Sequence, residues 1–303
     1  MTAYSNPSYA VRSTFLGVAN QDPASDICVA GINFDLGTSN RPGTRFGPDA
    51  IRAASRMLYD GQNPFSWVNP LDKVNIADVG NIPFPMGQLE KGLEAIASQA
   101  GQFKHLIALG GDHMVTFSLL KALAAKTGPL GLVHFDAHTD AWPTCFGEPW
   151  GHGSVFRRVL EHKLVDPKRM VQIGIRAKVD RDVYDWLIAQ GVTVIWANDV
   201  HCGDPRHIAK QVQEILGTQP AYMSFDIDCI DPSQAPGTGS PEVGGLWTWQ
   251  AVSLIRHLAG IDFRGMDIME VSPPYDHAEL TSLAGATMAY EYLCLVANRK
   301  TQK

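Results

Sequence analysis

The chain has 303 residues, room for one large domain or two ordinary ones, and its 45% hydrophobic, 18% charged composition with dispersed Gly and Pro excludes collagenous, coiled-coil and wholly disordered classes. Its 25 basic and 31 acidic residues give a net charge of -6. No basic stripe is present, so nucleic acid is not an expected partner.

Eight apolar runs suited to buried strands follow in order: ICVAGI from Ile27, KVNIADV from Lys73, HLIALG from His105, LGLVHFD from Leu130, MVQIGI from Met170, TVIWA from Thr193, AYMSFDID from Ala221 and GMDIMEV from Gly265. Helical stretches separate them. The clearest runs from Asp204 to Gly217, with an Asp cap, Pro205 in the first turn, apolar Ile208, Val212, Ile215 and Leu216, and a closing Gly. Alternating strands and helices predict an α/β protein with a mainly parallel sheet covered on both faces. Eight such units permit a closed barrel or an open sheet, and in both the ligands bind beyond the carboxyl ends of the strands.

No linker or repeat divides the chain, so a single domain over 1–303 is expected, with 1–25 as an N-terminal arm. Five cysteines, Cys28, Cys145, Cys202, Cys229 and Cys294, form no CxxC pair, which points away from a disulfide framework and toward a reducing compartment. The opening MTAYSNPSYAVRS lacks an apolar targeting core, and the longest apolar stretch, Leu283 to Ala297, is interrupted by Glu291. Cytoplasmic residence without membrane contact is the expectation.

Polar residues just after four of the runs carry the chemistry. They are Gly111-Asp112-His113, Asp136-Ala137-His138-Thr139-Asp140, Asp226-Ile227-Asp228 and Glu270. In extended backbone, residues two apart project to one side, so Asp136, His138 and Asp140 share a face, as do Asp226 and Asp228. Any one of these acids alone reads as a turn former or helix cap. Together with His113 they make four carboxylates and two imidazoles, a set suited to two divalent ions sharing ligands. Such acids cannot sit together uncompensated, and oxygen-rich ligation without thiolate favours Mn²⁺ over zinc.

GGDH at 110–113, DAHTD at 136–140, SFDIDCIDP at 224–232, PGTGSPE at 236–242, MEVSPPYD at 269–276 and RPGTRFGPDAIR at 41–52 resemble the ureohydrolase family of arginases, agmatinases and guanidino-acid hydrolases, agmatinases most of all. The resemblance spans nearly the whole chain. It implies a three-layer α/β/α sandwich around an eight-stranded sheet, two Mn²⁺ ions per subunit, and a trimeric or hexameric homo-oligomer. It further implies that His113, Asp136, Asp140 and Asp226 hold one ion and Asp136, His138, Asp226 and Asp228 the other. By the same resemblance His152 shuttles protons and Glu270 pairs with a substrate guanidinium.

Guanidinium is cationic at neutral pH, with a pKa above about 12.5, and its carbon is a poor electrophile. Divalent ions answer this by making water acidic enough to supply a strong nucleophile. The leaving amine must be protonated before it departs, and Asp140 is the nearest expected proton carrier. The products are then urea and an amine.

Where arginases place an Asn, two residues beyond the DxHxD motif, this chain has Trp142. The segment Ala141 to Gly151, with Trp142, Glu148 and Trp150, suits a methylene chain better than an α-amino acid head. Glu148 would favour a distal cation, so agmatine, cleaved to putrescine and urea, is the expected substrate. A guanidino acid such as 4-guanidinobutyrate or 3-guanidinopropionate, or another guanidine compound, is the alternative. A catalytically silent regulatory subunit is a less favoured reading, because every ligand position is filled.

His134 is expected to be a hydrogen-bonded core residue, and Asp112, Asp231 and Asp267 to orient ligands or cap loops. PGTGSPE lacks the Lys of a phosphate loop and reads as a wall beside the metals, and Cys145 as small filler in the specificity loop. His105, His162, His201, His207, His257 and His277 lack ligand spacing and are expected at the surface.

Overall fold

The computed structural model describes residues 13–58 and 61–301. Its strands are β1 (Ile27–Gly31), β2 (Ile76–Asn81), β3 (Leu106–Leu109), β4 (Leu130–Phe135), β5 (Val165–Ile175), β6 (Thr193–Trp196), β7 (Pro220–Asp226) and β8 (Asp262–Met269). All pair in parallel in the order β2-β1-β3-β8-β7-β4-β5-β6. The sheet therefore has two edges, β2 and β6, and is open rather than a barrel. Each apolar run of the sequence coincides with a strand. β5 and β8 begin earlier than their runs because Asp166, Lys168, Arg169 and Arg264 interrupt the hydrophobic pattern while backbone pairing continues.

The helices are α1 (Gly47–Ser55), α2 (Leu89–Ala100), α3 (Val115–Thr127), α4 (Val155–Glu161), α5 (Arg181–Gln190), α6 (Ala197–Cys202), α7 (Pro205–Leu216), α8 (Thr248–His257) and α9 (Leu280–Thr301). α7 starts where its sequence signals place it, with the Asp204 carboxylate accepting from the Arg206 N–H at 2.8 Å. Strand residues alternate between two cores. Val133 and Phe135 of β4 face a core with Ile51 of α1, Val212 of α7, Leu254 of α8 and Leu293 of α9. Leu130 and Leu132 face the other, with Leu93 of α2, Leu120 of α3, Val159 of α4 and Leu187 of α5. The result is the α/β/α sandwich, each layer burying one face of the sheet.

Two expectations need correcting. The apolar stretch around Leu283 is part of a longer helix, α9, which by length and composition alone could cross a membrane. It is instead packed into the first core, and Glu291 within it is buried, accepting from Arg256 Nε at 2.9 Å and Asn63 Nδ2 at 3.1 Å. The expected arm is not all peripheral either. Its residues 1–12 lie outside the described ones, but Phe15 and Leu16 are buried in the core, and the Phe15 N–H donates to Asp78 Oδ2 at 2.7 Å.

Candidate metal centre and substrate cavity

His113, Asp136, His138, Asp140, Asp226, Asp228 and Glu270 meet at the carboxyl ends of β3, β4, β7 and β8, the four central strands. His113 reaches the site through Gly110-Gly111. A Cβ on Gly111 would collide with the Phe34 carbonyl, so only glycine lets the chain pass there. Gly111 also accepts the Glu270 N–H at 2.9 Å, tying the β3 and β8 ends together.

The motif acids converge by a device other than strand parity. β4 ends at Phe135, before the DAHTD motif, so Asp136 to Asp140 form a loop. Asp136 Oδ1 accepts the N–H of His138 at 2.6 Å, and Asp226 Oδ1 accepts that of Asp228 at 2.8 Å. Each first Asp thus closes a turn on the residue two positions later, the usual Asx device. Asp140 and Glu270 have left-handed backbone, with φ of 48° and 63°. Neither is a glycine, and such conformations at functional positions are held by surrounding structure.

His113 Nδ1 is the focus of one half of the cluster, 3.2 Å from Asp136 Oδ2, 3.3 Å from Asp140 Oδ2 and 3.0 Å from Asp226 Oδ2. It is buried and makes no hydrogen bond. His113 Nε2 lies 2.9 Å from Ser224 Oγ, and that hydroxyl donates to Asp267 Oδ1 at 2.7 Å, so Nε2 carries the proton and Nδ1 offers a lone pair. In the other half, His138 Nδ1 lies 3.4 Å from Asp136 Oδ1 and 3.0 Å from Asp228 Oδ2. The two oxygens of Asp136 thus face different halves.

Ligand atoms of His113, His134 and Asp136, and of Asp136, His138 and Asp228, form two groups within 4.8 Å, sharing Asp136. His134 is engaged elsewhere: Nε2 bonds Asp136 Oδ2 at 2.7 Å and Nδ1 accepts from Gln172 Nε2 at 3.0 Å. It is the buried, hydrogen-bonded histidine expected, and burial pushes its pKa down.

The electrostatics call for cations. Burial, then Asp228 and Asp136 beside it, pushes Asp226 well above the carboxylate range. Burial and Asp136 push Asp228 up to about 6. Asp136 goes the other way; burial opposes ionisation, but His134, His113 and His138 hold it well below its usual value. An unbonded imidazole lone pair among carboxylates that cannot all ionise together is what divalent ions satisfy.

A cavity of about 400 Å³ opens over the cluster. Glu270 Oε1 accepts from the His113 N–H at 2.8 Å and lies 3.0 Å from His152 Nδ1, while its buried Oε2 has no hydrogen-bond partner. His152 Nε2 lies 2.8 Å from Ser39 Oγ, toward the opening. Ser39 was not legible in the sequence, because it lies just upstream of the recognisable RPGTRFGPDAIR run.

Trp142 and Cys145 line the cavity, as does Glu242 of the PGTGSPE wall. The other two residues assigned to the substrate loop do not. Cys145 and Glu148 pair across a two-residue turn at Phe146 and Gly147, both with positive φ. Past this turn Glu148 folds back to accept the Trp150 N–H at 2.9 Å, and Trp150 stacks edge-on against Phe117, 5.1 Å between ring centres. Glu148 therefore does not line the cavity. Lys178, from the turn after β5, does.

Asp112 accepts from the N–H groups of Gly37 and Met114 at 2.7 and 3.0 Å, and burial and Glu270 push it up to about 7. Asp231 caps the loop at Gly244 and Gly245, and Asp267 orients His113 through Ser224. His162, His201, His207 and His277 are exposed. His105 and His257 are half-buried instead, bonded to the Tyr292 hydroxyl at 2.8 Å and the Ser253 carbonyl at 2.7 Å.

Residues 25–294 match the profile of the Arginase family. The chain is 42% identical over 281 residues to a guanidinobutyrase of Pseudomonas aeruginosa, covering 90% of this chain and 87% of that protein. It is 39% identical over 286 residues to an agmatinase of Shigella dysenteriae, covering 93% and 90%. Among solved structures, a proclavaminate amidino hydrolase of Streptomyces clavuligerus superposes with a TM-score of 0.92 at 36% identity, covering 97% of this chain and 99% of that one.

Proposed function

The chain belongs to the arginase family of ureohydrolases, and from that premise we propose that it hydrolyses the guanidino group of a small guanidine compound to urea and an amine. Agmatine, giving putrescine, is the first substrate, supported by relatives named agmatinase at 39–40% identity over most of the chain. The observation carrying the reaction class is Glu270 Oε2, a buried, unbonded carboxylate oxygen in the cavity that opens over the His113 cluster.

The residues fit a pair of divalent ions. His113, Asp136, Asp140 and Asp226 would hold one, and Asp136, His138, Asp226 and Asp228 the other. When bound, the pair lowers the pKa of water so that a nucleophile is available near neutral pH. Manganese is supported by the all-carboxylate and imidazole donor set.

Glu270 binds the guanidinium through charge-assisted hydrogen bonds and fixes its carbon at the cluster. Its Oε1 is braced by His113 and His152, so the free Oε2 keeps its direction. Asp140, on the cavity wall, takes up the proton released as water adds to the guanidinium carbon and passes it to the departing amine. His152 lies between Glu270 and Ser39 and exchanges protons between the site and the opening.

A second reading, a guanidino acid such as 4-guanidinobutyrate, is favoured by Lys178 in the cavity wall and by the guanidinobutyrase relative. Arginine is a poor candidate in either reading, since Trp142 lines the cavity in place of the Asn that arginases carry two residues beyond the DxHxD motif. The single sheet supports one domain for the whole chain, the unpaired cysteines support the cytoplasm, and the family supports a homo-oligomer of three or six copies. The deciding experiment measures bound metal together with urea released from agmatine, 4-guanidinobutyrate, 3-guanidinopropionate and arginine. Urea from none of them by metal-replete protein would sink the proposal.

A further inference from the structure

We infer that Lys178 reads the far end of the substrate and favours a carboxylate there over an ammonium. The inference rests on the guanidino-hydrolase reading and adds the residue that sets its substrate class.

The described cavity lining combines five carboxylates with a single ammonium. Asp140, Asp226, Asp228 and Glu270 gather at the cluster end. Glu242, the remaining acid of the lining, is drawn to the same end, with Oε1 3.9 Å from His138 Nε2. Among the described residues lining the cavity, Lys178 is the one lysine or arginine, and none of the ion pairs found among the described residues involves it. An ammonium in the lining attracts an anionic group of a ligand and repels a cationic one.

The turn that carries it is anchored on both sides. The Arg176 and Ala177 N–H groups both donate to the Ala137 carbonyl, at 2.9 and 3.0 Å, in the loop that bears the metal-site acids. Asp180 Oδ2 accepts from Trp142 Nε1 at 3.2 Å, joining the turn to the apolar wall of the cavity. Lys178 lies between these anchors, so its backbone is held beside the cavity rather than free to swing into solvent.

A ligand complementary to this arrangement carries a guanidinium at one end, a short apolar chain beside Trp142, and an anion at the other end. Agmatine would bring a second cation into the cavity that Lys178 lines, so its tail gains nothing from this residue even where it is hydrolysed. The sign of the tail preference is thus opposite to the one Glu148 would impose if it faced the cavity.

The test compares kcat/KM for 4-guanidinobutyrate and agmatine in metal-loaded wild type, Lys178→Met and Lys178→Glu. An exposed charge contact of this kind is worth about fivefold. Lys178→Met should lower kcat/KM on 4-guanidinobutyrate by about that factor through KM, with kcat nearly preserved, and raise the value for agmatine. Lys178→Glu should move the ratio of the two further in the same direction. A ratio that stays put in both variants, or equal losses on both substrates, overturns the assignment to Lys178 while leaving the hydrolase reading intact. Wild type releasing urea from neither compound nor any other guanidine tested overturns the hydrolase reading, and this inference with it.

Discussion

His134 on β4 and Ser224 on β7 are register partners in the sheet. Gln172 on β5 extends the pairing on one side and Asp267 on β8 on the other, giving a row of four fully buried polar side chains across adjacent strands. Each half of the row supports one ligand. Gln172 orients His134, which bonds Asp136, while Asp267 orients Ser224, which receives His113 Nε2. Thr116 adds a bond to Asp267 Oδ2 at 2.9 Å. Buried polar groups at this density are tolerable because nearly all are paired, and their pairing fixes the imidazole tautomers that leave the His113 lone pair facing the acids.

Removing the hydroxyl that receives His113 tests this directly. Ser224→Ala should leave the fold intact and weaken metal binding by about 10- to 100-fold, the usual effect of losing a partner behind a ligand. Competition with a chelator, read by metal content after dialysis, measures it. Wild-type retention at every chelator concentration would show that the serine does not orient His113.

The fold and the acids of the site were legible because both rest on strong local signals. A parallel strand buried on both faces is a short apolar run, and the residue after it is free to be polar. Ser224 was within reach too, since it precedes Asp226 by two residues on the same strand. Gln172 was not, because one polar residue in an apolar strand carries no sign of its partner. The direction of loop 142–150 was hidden for another reason: the left-handed Phe146 before Gly147 reverses the chain and turns Glu148 and Trp150 away, and phenylalanine is no signal for such a backbone. Lys178 went unnoticed because it follows its strand without any motif.

Asp228 and His138 serve only the half of the cluster away from His113, whereas Asp136 faces both. Asp228→Ala and His138→Ala should therefore each keep one ion per chain and lose nearly all urea release, with unchanged circular dichroism. Asp136→Ala should lose both ions. Metal counting by mass spectrometry on purified protein separates these outcomes, and two ions in Asp228→Ala would refute the shared arrangement.

Glu270→Gln keeps the shape and the acceptor toward the His113 N–H but removes the charge facing the guanidinium. Hydrogen bonds to charged groups are worth about 1.5–3 kcal/mol, so kcat/KM should fall about 10- to 100-fold with metal content unchanged. His152→Ala should also retain both ions while slowing turnover, and added imidazole should restore part of the rate. An equal loss of metal in either variant would reassign that residue to holding the cluster together.

Asp276, at the end of the MEVSPPYD run, closes the start of α9. Its Oδ1 accepts from the Thr281 N–H at 2.9 Å, and its Oδ2 from the Ser282 N–H and hydroxyl at 3.0 and 2.9 Å. Burial opposes ionisation, yet these bonds hold the carboxyl below its usual range. A carboxylate with a folded pKa below its unfolded value of about 3.9 contributes stability that is fully present above that value and is lost as pH falls through the folded pKa. Asp276→Ala should therefore cost about 1–2 kcal/mol at neutral pH, as lost caps do. The difference from wild type should shrink as the pH drops below about 4 and the native carboxylate is itself protonated. Denaturant melts at a series of pH values measure that difference. A gap that stays constant down to about pH 2.5 would mean that the packing of the side chain, not its charge, holds the first turn of α9.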